Sequence, residues 1–204
     1  MGSRQDRSSR PQLAYIAARM MAEDGVPDFA AARRKLARQS GCKERDLPDD
    51  REIGAALRSY QALFQLDSQP SALRRLRSAA VDAMEWLAAY DPWLVGSVLL
   101  GTAGEHSDIQ LHVYTDRGKE LEMFLLGSPV PCQFRERRVE LGGRPTQIPV
   151  VLLEFHDAQV ELSVFSSADL RLNAARSNAT PDVLPQRARL ERVRALLDEE
   201  DPGE

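Results

Sequence analysis

Several features are scarce in this chain of 204 residues, and each scarcity excludes a class of protein. The two cysteines, Cys42 and Cys132, lie far apart and in no Cys or His cluster, so neither a disulfide framework nor a zinc site is expected. No run approaches the roughly 18 apolar residues that a membrane helix needs, and residues 1–10 lack the apolar centre of a signal peptide. We therefore expect a cytoplasmic protein with reduced thiols, a flexible N-terminus and no membrane partner.

An excess of charge of one sign is also missing. Residues 1–90 carry 15 Lys and Arg against 12 Asp and Glu, whereas residues 91–204 carry 12 against 19. Strong phosphate binding usually appears as a clearly basic domain, so neither part is an obvious nucleic-acid binder and sequence-specific DNA binding is not indicated, while RNA or DNA is left open as a substrate. The phosphate loop GxxxxGK[ST] and the motifs GxGxxG, HExxH and GxSxG are all absent, which argues against P-loop kinases, dinucleotide dehydrogenases, zinc proteases and serine hydrolases.

Helical periodicity dominates residues 11–91. A first apolar stripe ends at Asp24, a second run follows Asp28 as its cap, and a third begins after Pro48 with acids in its first turn. A fourth and longer run starts with Ser71 as cap and ends at Asp91-Pro92. Asp91-Pro92 is the best candidate domain boundary, although the fourth helix could instead pack directly on the sheet that follows.

From Trp93 onward the pattern changes to short strands with a period of two. Apolar residues alternate with polar ones in strands that we expect around residues 93–95, 109–113, 132–141, 148–155 and 160–164, with a turn at 142–145 and a short helix at 119–126. The predicted fold class is α+β or α/β, a small mixed sheet flanked by helices. This sheet domain spans residues 92–166, and a C-terminal helix with an acidic tail occupies residues 167–204.

The segment from residue 96 to residue 111, GSVLLGTAGEHSDIQL, holds the most specific pattern in the chain. It combines a Gly-Ser pair after a strand, a glycine in the next turn and a Ser-Asp pair opening the following strand, and a later strand adds an acid: Gly96, Ser97, Gly101, Ser107, Asp108 and Glu161. The pattern resembles the active-site signature of the DNA polymerase β-like nucleotidyltransferase superfamily. The spacing from Ser97 to Asp108 is similar to that of the small bacterial members.

The resemblance implies transfer of a nucleoside monophosphate from a nucleoside triphosphate to a hydroxyl on a small molecule, a protein or RNA. It implies that Asp108 and Glu161 are catalytic and hold Mg²⁺ or Mn²⁺, and that the nucleotide is bound by Gly96, Ser97, Gly101 and Ser107. The residue types themselves also suit a phosphate-binding cleft. Glycine lets backbone amides approach a phosphate, and residues two apart on a strand share a face, so Asp108 and position 110 would point into one cleft.

Gln110 departs from the family pattern at the position where a carboxylate would bridge two metal ions. Its amide offers one oxygen ligand and no charge, whereas magnesium prefers anionic and water oxygens. Two hypotheses follow. One is a transferase in which Gln110 is a weakened catalytic ligand, and the other is a protein that keeps the fold and binds nucleotide or a partner without turnover. A third hypothesis, independent of Gln110, is that the helical region recognises RNA and the sheet is only a scaffold.

Histidines, arginines and lysines outside the motif are further candidate contacts. Of the histidines, His106 is placed to meet substrate in the loop before Ser107, His112 has less chance of a ligand role, and His156 is expected on the surface. Further candidates for phosphate or RNA contact are the arginines and lysines outside the motif, a cluster in the second helix that could equally be a solvated face and several single residues: Arg33, Arg34, Lys35, Arg38, Lys119, Arg135, Arg137, Arg138 and Arg171.

Overall fold

A computed structural model of the chain describes residues 9–24, 26, 29–64, 68–141, 144–170 and 187–199. Its internal contacts divide it into a helical unit, Met1–Pro70 with Gly104–His106, and a sheet unit, Ser71–Ala103 with Ser107–Glu204. Across the ranges just given, every helix is too short or too polar to cross a lipid bilayer.

In its described residues, the helical unit contains three α-helices, α1 (Arg10–Glu23), α2 (Phe29–Ser40) and α3 (Asp50–Phe64), and a 3₁₀ turn at Glu44–Asp46. Their apolar stripes meet in one cluster that includes Leu13, Leu36 and Ile53. The acids expected at the start of α3 form a reciprocal cap: the Asp49 amide donates to Glu52 Oε2 at 2.7 Å, and the Glu52 amide donates to Asp49 Oδ1 at 2.8 Å. Asp28, the expected cap of α2, lies outside the described residues.

The sheet unit contains six strands and the remaining helices in the described residues. In chain order these are α4 (Ser68–Trp86, from Ser71 onward), β1 (Trp93–Val95), α5 (Gly96–Leu100), β2 (Ile109–Tyr114), α6 (Gly118–Leu126), β3 (Cys132–Leu141), β4 (Arg144–Phe155), β5 (Ala158–Phe165), β6 (Arg187–Ala188) and α7 (Leu190–Glu199), with a 3₁₀ turn at Ala88–Tyr90. This is the expected fold class, a mixed sheet flanked by helices with a helical region before it.

The strand order is β3-β4-β5-β2-β1-β6, and β2 with β5 is the parallel pair in an otherwise antiparallel sheet. Strand alternation gives the sheet two unlike faces. One face carries Leu111, Leu162 and Val151, which pack with α4, α6 and α7 in the main core. The opposite face, here called the polar face, carries Gln110, His112, Glu161 and Ser163 on β2 and β5. The burial of the first face fixes the register, and the register fixes which polar side chains meet on the other.

The fourth helix begins earlier than expected. It begins at Ser68, so Ser71 lies inside its first turn and is not its cap; Pro70 is tolerated there because the first turn lacks intrahelical amide partners. Leu76, Ala80, Met84 and Leu87 are buried in the core of the sheet unit. The division of contacts therefore falls at Pro70, and α4 packs on the sheet, which is the arrangement left open beside a boundary at Asp91-Pro92.

Candidate functional site

Strand register brings the distant parts of the motif together on the polar face. Gln110 of β2 pairs with Glu161 of the parallel strand β5 on one side and with Val95 of β1 on the other. Gly96 follows Val95 directly. The motif glycine, position 110 and the later acid therefore lie side by side across three neighbouring strands, with strands about 4.8 Å apart.

Gly96 is pressed against Gln110. Its φ is +73°, and a Cβ added there would lie 2.1 Å from Gln110 Oε1 and 3.0 Å from Gln110 Cδ. The left-handed φ favours glycine because a side chain is unfavourable there, whereas the Gln110 amide is the far end of a flexible side chain and can rotate out of the space that a Cβ would take. The Gln110 side chain thus stands over the turn that the resemblance assigns to phosphate binding.

Hydrogen bonds at its C-terminal end hold the short helix α5 in place. Gly101 ends it with φ +74° and donates its amide hydrogen bond to the Ser97 carbonyl. Arg77 of α4, only 5% exposed, donates from Nε to the Val98 carbonyl at 3.1 Å and from Nη2 to the Leu99 carbonyl at 3.4 Å. Gly101 therefore closes the helix, and Ser97, 9% exposed, has little hydroxyl surface to offer a phosphate. Ser107 lies half-buried immediately before Asp108.

Glu161 is already engaged by a cation. Arg137 of β3 donates from Nη1 to Glu161 Oε1 at 2.6 Å and from Nη2 to the hydroxyl of buried Ser163 at 2.7 Å. The exposed fractions of the Arg137 and Glu161 side chains are 39% and 21%, so the pair is partly withdrawn from water. Burial and, secondarily, the Glu161 carboxylate raise the pKa of Asp108. Asp108 and Glu161 are thus near enough to repel each other, but Glu161 is neutralised by Arg137.

These donors do not suit a two-magnesium centre. Such a centre needs several anionic oxygens, and here Gln110 supplies an amide while Glu161 is bound to a guanidinium. Within the described ranges, no group of three or more His, Cys, Asp or Glu side chains is arranged to hold a metal ion. Asp108 remains as one carboxylate without a second free one beside it, so we derive no catalytic step through a metal ion.

His112 occupies the next row of the polar face, between Ser163 of β5 and Trp93 of β1. Its ring lies 4.8 Å from the Phe165 ring, and its Nδ1 lies 3.4 Å from the Tyr114 hydroxyl. Burial, followed by the charges of Arg137 and Arg187, lowers the pKa of His112 to about 4. The imidazole is therefore neutral at pH 7 and packs as part of an aromatic row.

This lowered pKa predicts a pH-dependent stability. The unfolded imidazole binds a proton near pH 6.5 but the folded one only near pH 4, so the unfolded state takes up more protons between these values. The contribution of His112 is complete above pH 6.5 and falls by about 2–3 kcal/mol as the pH drops to 4. Urea unfolding of the natural protein and of His112→Asn at pH 7, 5.5 and 4.5 measures it. Equal pH dependence in the two proteins would contradict the assignment.

Two basic residues outside the motif flank this row, and sequence reasoning did not single them out. The Arg187 guanidinium lies 4.6 Å from the Trp93 ring centre and 6.0 Å from that of Tyr114, while Arg189 lies 3.9 Å from the Trp93 ring centre. Arg189 also forms an ion pair with Asp91. The sequence signal for these two arginines was weak, because β6 has only two residues. It consisted of an alternation of arginine with a small residue over 187–189.

The lysine and arginine candidates outside the motif lie in different parts of the structure. Among the arginines of β3, Arg137 faces the site, while Arg135 and Arg138 are exposed. Lys119 lines a groove between α6 and the core-side face of β3 and β4, away from the polar face. In α2, Lys35 pairs with Asp24 at 2.7 Å and Arg33 with Asp50 at 3.8 Å, which is typical of a solvated helix face.

The remaining candidates are two histidines and one arginine. His156 is exposed, in the turn after β4, with its Nε2 3.3 Å from Asp82. His106 groups with the helical unit, and Arg171 lies outside the described residues. Comparisons with family models, curated proteins and solved structures found no match to this chain. Its own geometry is therefore the basis for assigning a function.

Proposed function

We propose that this protein is a nucleotidyltransferase-like module that binds a nucleoside triphosphate in the cytoplasm without transferring its nucleoside monophosphate. Gly96 directly follows β1, and position 110 and Glu161 lie in the neighbouring strands β2 and β5, as the resemblance to nucleotidyltransferases requires. This juxtaposition comes from three separate segments of the chain, so it supports the likeness beyond the sequence motif. Free Cys42 and Cys132 suit a reducing compartment.

The proposed absence of nucleotidyl transfer rests on one observation. Glu161 is bound by Arg137 at 2.6 Å, and its neighbour in register is the neutral Gln110. In-line attack at the α-phosphorus depends on cations that neutralise the triphosphate and orient the attacking hydroxyl. Of the three expected ligand positions, Gln110 is neutral and Glu161 is neutralised. The protein therefore binds the nucleotide but does not catalyse metal-dependent transfer.

The first test separates binding from turnover. The protein is incubated with each α-labelled nucleoside triphosphate and Mg²⁺ or Mn²⁺, with RNA and with the protein itself as acceptors, and binding is followed by equilibrium dialysis. We expect retention of label by non-covalent binding and no nucleotide-dependent product. Turnover by the natural protein that is lost in Asp108→Ala would overturn the proposal in favour of a transferase.

A gain-of-function variant sharpens the test. Gln110→Asp with Arg137→Gln supplies a second carboxylate and frees Glu161, so we expect Mn²⁺ binding that the natural protein lacks, measured by calorimetry or by Mn²⁺ paramagnetic resonance. Gln110→Asp alone is the matched control, since Arg137 still holds Glu161. Equal Mn²⁺ affinity in the natural protein and the double variant would contradict the argument from the ion pair.

A further inference from the structure

The row of the polar face beyond Gln110 has two arginines above it. Ser163, His112 and Trp93 are neighbours in register on β5, β2 and β1 and point to the same side of the sheet. Arg137 donates to the Ser163 hydroxyl at 2.7 Å, at one end of the row. Arg187 lies over the Trp93 ring at the other end, 4.6 Å from its centre. His112 is therefore flanked by two guanidinium groups.

Both guanidinium groups have unused hydrogen-bonding capacity. Arg137 Nε and Arg187 Nη1 are buried nitrogens for which no described residue provides an acceptor. A buried N–H without an acceptor is unfavourable, so each group gains by turning toward an acceptor that arrives from outside. Each arginine also has an exposed portion that an incoming ligand can reach.

The charge of this row is incompletely balanced. Arg137 is paired with Glu161 and Arg189 with Asp91, but Arg187 has no acidic partner within the described ranges, and its contacts are the faces of Trp93 and Tyr114. An anion above His112 would meet one uncompensated positive charge and a second donor group.

We infer that Arg137 and Arg187 form a metal-independent site for a phosphate group above His112. Ser163 and Trp93 lie on either side of His112 in register, two strand spacings or about 10 Å apart, so the guanidinium groups at the two ends of the row lie on opposite sides of the imidazole. Guanidinium groups bind phosphate oxygens through short charge-assisted hydrogen bonds. Arg137, whose charge is balanced by Glu161, supplies hydrogen-bond donors, and Arg187 supplies positive charge that Mg²⁺ would supply in a transferase. This inference rests on the proposed function and states how the ligand's phosphate is held.

The experiment uses the full chain in EDTA, with inorganic pyrophosphate and ATP as separate probes in isothermal titration calorimetry. Arg187→Gln and the double variant Arg137→Gln with Glu161→Gln, which leaves no buried unpaired carboxylate, should each weaken pyrophosphate binding about tenfold or more. Arg138→Gln is the matched control, because it removes the same charge from an exposed position one residue along β3; it should change affinity less than about twofold. Thermal unfolding of each variant checks that it is folded, and Arg187→Lys should restore part of the affinity.

The outcomes distinguish this inference from the proposal beneath it. Pyrophosphate binding that needs Mg²⁺, or that Arg187→Gln leaves unchanged, would overturn the arginine site. If ATP still bound in that case, nucleotide binding would stand without it. If pyrophosphate bound in EDTA with the expected sensitivity while ATP did not bind, the phosphate site would stand and the nucleotide proposal would fall. Absence of binding by both probes would remove both.

Discussion

Replacing Gly96 by alanine should lower the free energy of unfolding by about 1–2 kcal/mol. This loss comes from placing a side chain at a φ of +73°, because the Gln110 amide, which the added Cβ would displace, is the far end of a flexible side chain and moves aside at little cost in free energy. The same displacement disturbs the turn next to Glu161. We therefore expect Gly96→Ala to lose nucleotide binding as well as stability, measured by urea unfolding and equilibrium dialysis.

Gly101→Ala is the matched control. Its φ is +74°, almost the same, but its added Cβ would meet the nearest atom, Arg77 Nη2, at an ordinary 3.5 Å. It should lose about the same 1–2 kcal/mol but keep nucleotide binding, because Gln110 is left in place. The entropy that alanine removes from the unfolded chain is common to both variants and cancels in the comparison. Equal loss of nucleotide binding in Gly96→Ala and Gly101→Ala would show that displacement of Gln110 is not the cause.

Arg77→Met should lower the free energy of unfolding by about 2–4 kcal/mol. Methionine fills most of the same volume, but it leaves the Val98 and Leu99 carbonyls without the donors that Arg77 provides from a buried position. Unsatisfied buried acceptors are costly because they have lost water without gaining a partner. Since these carbonyls end α5, the helix that opens at Gly96, we also expect weaker nucleotide binding.

Arg75→Met provides the comparison for Arg77. Arg75 lies two residues earlier on α4, is exposed, and contacts the Asp157 carbonyl at 3.4 Å, so its loss should change stability by less than about 0.5 kcal/mol. Arg77→Lys should recover part of the stability, because an ammonium can reach one of the two carbonyls. If Arg77→Met and Arg75→Met unfold at the same urea concentration, the capping role is refuted.

Periodicity predicted the sheet well because burial enforces it. Ile109, Leu111 and Val113 face the core in strict alternation with Gln110 and His112, as expected for a strand with one buried face. The short helix α6 and strand β3 also lie where the pattern predicted them. The start of α4 was harder to predict, since Ser71 after Pro70 has the chemistry of a cap although the helix begins three residues earlier.

Sequence patterns could not identify which arginines lie in the site. Arg137 was one of several arginines on a strand of incomplete alternation, and its own register partner is Ile148 on β4, not an acid. It reaches Glu161 diagonally across β4, using the length of its side chain. The position of Arg187 could not be predicted, because it depends on the pairing of β6, a strand of two residues, with β1. Contacts of this kind follow from tertiary packing and leave no periodic trace in the chain.

The parallel pairing of β2 with β5 also sets an order of assembly. Strands β3, β4 and β5 follow one another in sequence and pair antiparallel, whereas α6, β3 and β4 all lie between β2 and β5. Closing a long loop costs more chain entropy than closing a hairpin, so the pairing of β2 with β5 comes after the local ones. On the ribosome, the nascent chain can build α4, β1 and β2 early. Gln110 meets Glu161 only after β5 has emerged, so the ligand cannot assist the early steps of folding and can stabilise only the nearly finished sheet.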